Sequence, residues 1–131
     1  MKREDKCLSL ELAKQIDAEH KRLGIEAKSE FMHIKDPGGT WYIEEYSKDY
    51  PDNETYPAYD TAELGEMLTR EYSTVKTASG FAAQMAFGWE HKSRLTAREL
   101  WEISESITET EVRGKMYLWL LQNGYIKEEK P

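Results

Sequence analysis

The chain has 131 residues, of which 18 are basic and 25 acidic, giving a formal net charge of -7. This size suits one domain whose core needs no disulfide or structural metal, and the single cysteine, Cys7, excludes an internal disulfide and a multi-cysteine metal cluster. No apolar run approaches the roughly 20 residues that a membrane span needs, and no apolar stretch follows the charged start. We therefore expect one cytoplasmic domain over 1–131, with a disordered start at 1–6, a tail at 127–131 and no membrane partner.

The first predicted element is an amphipathic helix that begins after Ser9 and ends at Gly24. Its apolar residues recur at helical spacing, and serine and glycine are common at helix ends. Two short apolar runs follow at 31–34 and 41–43, and the Asp-Pro-Gly-Gly sequence between them favours a reversal of direction. We predict a β-hairpin there, followed at 44–59 by a long, exposed, acidic and tyrosine-rich loop.

A short helix and a second hairpin are predicted next. The helix covers 62–70, where Asp60 and Glu63 have the spacing of a capping box. From 81 to 89 large and small residues alternate with a period of two, which indicates a strand, and a shorter strand around Val75 pairs with it. The small residues on one face of the longer strand indicate that a helix backbone packs closely there.

Residues 95–107 fit two structures. Thr96 and Glu99 have the spacing of a helix cap, whereas the apolar run at 100–103 fits an edge strand. We assign the segment to a strand.

The last helix has the clearest signals in the chain. Thr108 and Glu111 form a capping box ahead of an apolar pattern, and Asn123-Gly124 closes it. Apolar residues surround this helix on nearly all sides, so we expect it to be central and to support a homodimer through 109–122. The whole pattern predicts an α+β fold in which a small antiparallel sheet of two hairpins, with an extra edge strand, packs against helices in the order α-ββ-α-ββ(β)-α.

Three stretches resemble a group of small uncharacterised proteins carried by phages, prophages and integrated elements. The most specific stretch is YPAYDTAELGEML at 56–68, and the other two are CLSLELA at 7–13 and KMYLWLLQNGYI at 115–126. Because that group has no established activity, no residue role carries over from it. The resemblance implies an accessory gene of a mobile element.

Charge and aromatic residues coincide in segment 41–66. It holds eight acidic residues against one lysine, while the rest of the chain is neutral, and it carries six of the 15 aromatic residues. Rings beside carboxylates suit a basic or amphipathic protein partner, whereas direct binding of nucleic acid needs clustered lysine and arginine. We therefore predict a non-enzymatic interaction module. Its predicted contact residues are Trp41, Tyr42, Tyr46, Tyr50, Tyr59, Glu44, Glu45, Asp49 and Asp52.

Catalytic and metal chemistry have no recognisable motif. His20, His33 and His91 lack the spacing of a ligand set, and Cys7 has no histidine near it in sequence. We expect no metal, no cofactor and no catalytic residue.

Three alternatives stay open at this point. The acidic segment could imitate DNA phosphates and inhibit a host DNA-binding protein. The carboxylates and His33 could belong to a small enzyme with an unrecognised site. The rings of segment 41–66 could instead fix the loop to the core.

Overall fold

The described elements follow the order α-βββ-α-ββ-α-α along the chain. The computed structural model describes residues 6–26, 29–45, 54–68, 72–77, 80–85, 97–106 and 108–124. The helices are α1 (Leu10–Leu23), α2 (Thr61–Met67), α3 (Ala97–Ser104) and α4 (Glu109–Gln122). The strands are β1 (Phe31–Lys35), β2 (Trp41–Glu45), β3 (Thr55–Pro57), β4 (Tyr72–Thr77) and β5 (Gly80–Met85). Antiparallel strands packed against helices confirm the α+β class.

Helix α1 begins and ends where the sequence predicts. Ser9 precedes it in an extended conformation, and its N–H and hydroxyl donate to the Glu111 carboxylate at 2.8 and 3.1 Å. Gly24 ends it with φ 72°, a left-handed conformation that glycine adopts without steric cost. The two hydrogen bonds from Ser9 to Glu111 tie the start of α1 to α4. The buried residues of α1 are Leu12, Ala13, Ile16 and His20.

A three-stranded antiparallel sheet has β1 between β2 and β3. The predicted first hairpin is confirmed, and in its turn the Asp36 carboxylate accepts from the Thr40 N–H at 2.9 Å. The prediction of a continuous loop at 44–59 is wrong, because part of that segment pairs with β1 as β3. Pro57 is tolerated because β3 lies at the edge of this described sheet. Residues 46–53 lie outside the described ranges.

Helix α2 begins with the predicted capping box. The Asp60 carboxylate accepts from the Glu63 N–H at 2.8 Å, and the Glu63 carboxylate accepts from the Asp60 N–H at 3.0 Å. Glu63 also accepts from the Ser29 hydroxyl at 2.9 Å and from the Glu30 N–H at 3.0 Å. One carboxylate therefore joins the start of α2 to the segment that leads into β1.

The second predicted hairpin is formed by β4 and β5. Ala82 on β5 is fully buried, and β5 packs against α3 and α4, as its small residues indicate. Residues 86–89 of the predicted strand lie outside the described ranges.

The strand prediction for 95–107 is wrong, because α3 occupies most of this segment. Leu100 is fully buried, and the Ser104 hydroxyl one turn later donates to its carbonyl oxygen at 2.6 Å. Trp101, which follows Leu100, is 40% exposed. Burial therefore repeats at helical spacing. The apolar run at 100–103 is too short to reveal this period in the sequence. Within the described part of this segment, only Ser106 pairs like a strand residue, and it forms an isolated bridge to β5.

Helix α4 is central, as predicted. Its N-cap is Thr108, whose hydroxyl accepts from the Glu111 N–H at 3.2 Å. It packs against α1, α2, α3 and β5, and a Cβ at Gly114 would overlap the Leu8 side chain. Other elements of the same chain already cover most of its apolar side chains. The homodimer through this helix stays a prediction. Its buried residues are Thr110, Val112, Gly114, Met116, Tyr117, Leu118, Leu120 and Leu121.

Candidate functional site

The sheet divides the predicted contact residues of β2 between its two faces. Successive side chains of a strand point in opposite directions, so Trp41 and Glu45 share one face while Tyr42 and Glu44 share the other. Tyr42 is 37% exposed, and both glutamates are exposed. These four residues therefore do not form one continuous surface.

Tyr59 is not a surface contact, which corrects its place in the predicted site. Its side chain is 1% exposed and packs in the core that joins α1, α2 and α4. Its hydroxyl has no hydrogen-bond partner among the described residues, and burial raises its pKa above the ordinary value. Four other predicted contacts, Tyr46, Asp49, Tyr50 and Asp52, lie outside the described ranges.

Trp41 is instead brought against Tyr56 by the register of the sheet. On β1, Lys35 pairs with Trp41 and His33 pairs with Tyr56. Because Lys35 and His33 are two residues apart, the two rings lie on the same face, on opposite sides of β1. Their centroids are 5.9 Å apart with the planes tilted by 38°, and both residues are half-buried.

Two lysines place their ammonium groups over these rings. Lys14 of α1 lies 5.0 Å from the centroid of Trp41 and 5.7 Å from that of Tyr56. Lys35 of β1 lies 5.9 Å from the Trp41 centroid. These distances are within the range of a cation–π attraction. The face formed by Trp41, Tyr56 and the neighbouring Glu54 is called the Trp41–Tyr56 surface below.

Glu54 gives this surface a carboxylate. The Tyr56 hydroxyl donates to Glu54 at 2.8 Å, and this hydrogen bond is the main reason why the pKa of Tyr56 lies above its ordinary value. Glu54 is exposed, so its carboxylate stays accessible to a cation that approaches the rings.

The predicted contact residues do not include Lys14, Lys35, Glu54 or Tyr56, although Glu54 and Tyr56 belong to the predicted binding segment 41–66. Five residues separate Lys35 from Trp41 in the hairpin, and the length of this turn determines that the two residues pair. The hairpin sequence therefore predicts this contact. Lys14 lies on another element, and no local pattern connects it with Trp41.

A separate cleft of about 480 Å³ lies between α1 and the strands β1 and β3. Its lining mixes apolar side chains with carboxylates, hydroxyls, one lysine and one histidine. The lining residues are Asp17, His20, Lys21, Ile25, Glu26, Ser29, Phe31, Met32, Thr55 and Pro57.

His20 forms part of the cleft wall and is 4% exposed. Its Nε2 is 2.6 Å from the Tyr117 hydroxyl, and its ring meets that of Tyr117 edge-on at 5.5 Å. Burial lowers the pKa of His20 below the ordinary value, and nearby Asp17 opposes this shift in part. The imidazole is therefore neutral at pH 7.

His33 does not line the cleft. It is 5% exposed, and its Nε2 donates to the Leu8 carbonyl oxygen at 2.7 Å. Burial lowers the pKa of His33, while the hydrogen bond to Leu8 and the charge of Glu111 act in the opposite direction. The hydrogen bond gives this histidine a structural role, because it holds the residues before α1 against the sheet.

The described ranges hold neither a membrane-spanning helix nor a cluster of side chains suited to a metal ion. None of their helices is both long enough and apolar enough to cross a membrane. They also contain no group of three or more histidine, cysteine, aspartate or glutamate side chains that could hold a metal ion.

Comparison with known proteins gives no relative from which a function could be carried over. The resemblance to proteins of mobile elements therefore stays a prediction. No protein-family model, no curated protein and no solved structure matches the chain.

Proposed function

We propose that the protein is a non-enzymatic binding module that holds lysine or arginine side chains of a basic protein partner on the Trp41–Tyr56 surface. The observation that carries this proposal is the position of the Lys14 ammonium over both rings. A face that attracts a cation of its own chain has the geometry to attract a cation of a partner.

Charge supports a basic partner. The chain has a net charge of -7, and the exposed Glu45 and Glu54 lie on the same face of the sheet as the two rings. A negative potential increases the association rate of a positive partner and disfavours an acidic one, including nucleic acid. The rings supply contact area with little loss of side-chain entropy.

The direct test is the binding of a fluorescein-labelled octa-lysine peptide, followed by fluorescence anisotropy at low salt. Trp41→Ala and Tyr56→Ala are each expected to raise the Kd roughly tenfold, because a cation–π contact contributes up to about 2 kcal/mol where water is excluded. Trp101→Ala is the matched control, since it removes an exposed ring on a different element. An octa-lysine peptide with acetylated side chains should not bind. Equal affinity of all three variants and the wild-type protein would contradict the proposal.

Removing the internal cation should strengthen the same interaction. Lys14→Ala removes the ammonium group that lies over both rings, leaves Lys35 over Trp41 alone and makes the region more negative, so we expect the Kd for octa-lysine to fall several-fold. Arg22→Ala is the control, because Arg22 is on the same helix and carries the same charge but pairs with Glu19 rather than with a ring. If the two variants gained affinity equally, net charge alone would explain the effect and the rings would have no part in it.

A further inference from the structure

We propose that the cleft between α1 and the strands β1 and β3 binds a small organic cation, namely a primary amine joined to an aromatic or aliphatic body. This site is distinct from the Trp41–Tyr56 surface, and the proposal does not depend on the protein-binding function.

The size and the walls of the cleft suit a small molecule. Its volume of about 480 Å³ lies within the roughly 300–1,000 Å³ that is typical of ligand pockets. Ile25, Phe31, Met32 and Pro57 provide apolar surface along it. A ligand with an apolar body would displace water from these side chains.

The charges in the cleft favour a cation. Among its described lining residues, Asp17 and Glu26 are acidic and Lys21 is basic. His20 adds little charge at pH 7, because burial of its ring, which is 4% exposed, favours the neutral form and lowers its pKa below the ordinary value. The described part of the lining therefore carries a net negative charge, which an anionic ligand would have to overcome.

Asp17 is the carboxylate best placed to hold the ammonium group. Its side chain is 19% exposed, and it pairs at 3.0 Å with Lys21, whose side chain is 78% exposed. An ion pair with so exposed a partner contributes roughly 0–1 kcal/mol, so a ligand ammonium can displace Lys21 into solvent at little cost. The ligand would then form the same ion pair in a site from which its own apolar body excludes water.

Tyramine is a suitable probe, and calorimetry with two matched compounds tests the charge requirement. 4-Ethylphenol keeps the ring without the ammonium group, and 3-(4-hydroxyphenyl)propionate replaces the cation by an anion. We expect tyramine to bind roughly tenfold more tightly than 4-ethylphenol, and the propionate not to bind. Equal affinity for the three compounds, or no binding of tyramine, would overturn the proposal.

Four variants locate the site. Asp17→Asn should weaken tyramine binding roughly tenfold and leave 4-ethylphenol unchanged, whereas Lys21→Ala should strengthen tyramine binding because it removes the competing cation. Glu19→Gln is the control for Asp17→Asn, since Glu19 is on the same helix but does not line the cleft. Circular dichroism establishes that each variant folds. If Trp41→Ala abolished tyramine binding and Asp17→Asn did not, the amine would bind at the aromatic face and the proposal would be wrong.

Discussion

Leu8→Ala is expected to lower the free energy of unfolding by about 2–5 kcal/mol, the usual loss for a leucine truncated in a packed core. Leu8 is fully buried among residues of α1, α2 and α4, and its side chain lies against Gly114, where no Cβ intervenes. Its N–H donates to the Tyr59 carbonyl oxygen at 2.8 Å and its carbonyl oxygen accepts from His33 at 2.7 Å. The backbone is therefore held in place, so the cavity left by truncation cannot close easily.

Urea denaturation followed by far-UV circular dichroism measures this loss. The midpoint should fall while the slope of the transition stays constant, which indicates an unchanged fold with lower stability. Gln15→Ala, at an exposed position of α1, should change stability by less than about 0.5 kcal/mol. A loss of less than about 1 kcal/mol for Leu8→Ala would show that the residues before α1 are not docked on α4.

Mild acid is expected to destabilise the protein through His20 and His33. Both side chains are at most 5% exposed, and burial lowers the pKa of each below the ordinary value of about 6.5. As the pH falls through 6.5, the unfolded chain takes up protons on these residues while the native protein does not. The two histidines therefore do not lower the free energy of unfolding above pH 6.5. The free energy of unfolding falls as the pH decreases from 6.5 towards the pKa values that the histidines have in the native protein.

The size of this effect has an upper limit. Each histidine that stays neutral in the native state lowers stability by at most about 1.4 kcal/mol per pH unit. Urea denaturation at pH 7.5 and at pH 5.5 measures the difference, and ordinary carboxyl groups remain ionised over this window. His33→Gln retains a side-chain N–H for the Leu8 carbonyl oxygen and should remove part of the pH dependence, as should His20→Gln. A pH dependence that survives undiminished in the double variant would contradict the assignment to these two histidines.

Helix ends could be predicted because their signals are local. The box formed by Asp60 and Glu63 spans four residues, and Gly24 ends α1 by its own backbone conformation. By contrast, the Ser9 hydroxyl makes no hydrogen bond to the first turn of α1 and donates instead to Glu111, which is 102 residues away. No pattern within one element predicts such a contact.

The candidate site was predicted less well than the fold, for two physical reasons. The composition of 41–66 indicates an aromatic and acidic segment but does not show which rings point inward, so Tyr59 was grouped with exposed residues although it lies in the core. The alternation of side chains along β2 separates Tyr42 from Trp41, and this rule could have been applied to the sequence. The position of Lys14 over Trp41 depends on how α1 packs against the sheet, which the sequence of neither element shows.

Cations of a partner that bind at the Trp41–Tyr56 surface should perturb the indole N–H resonance of Trp41, one of the four tryptophans of the chain. In a ¹H–¹⁵N spectrum titrated with octa-lysine, we expect the Trp41 signal to shift progressively and to saturate, and the Trp101 signal to stay in place. Alanine at Trp41 and at Trp101 assigns the two signals. A Trp41 signal that does not move at peptide concentrations that saturate the anisotropy change would contradict the account.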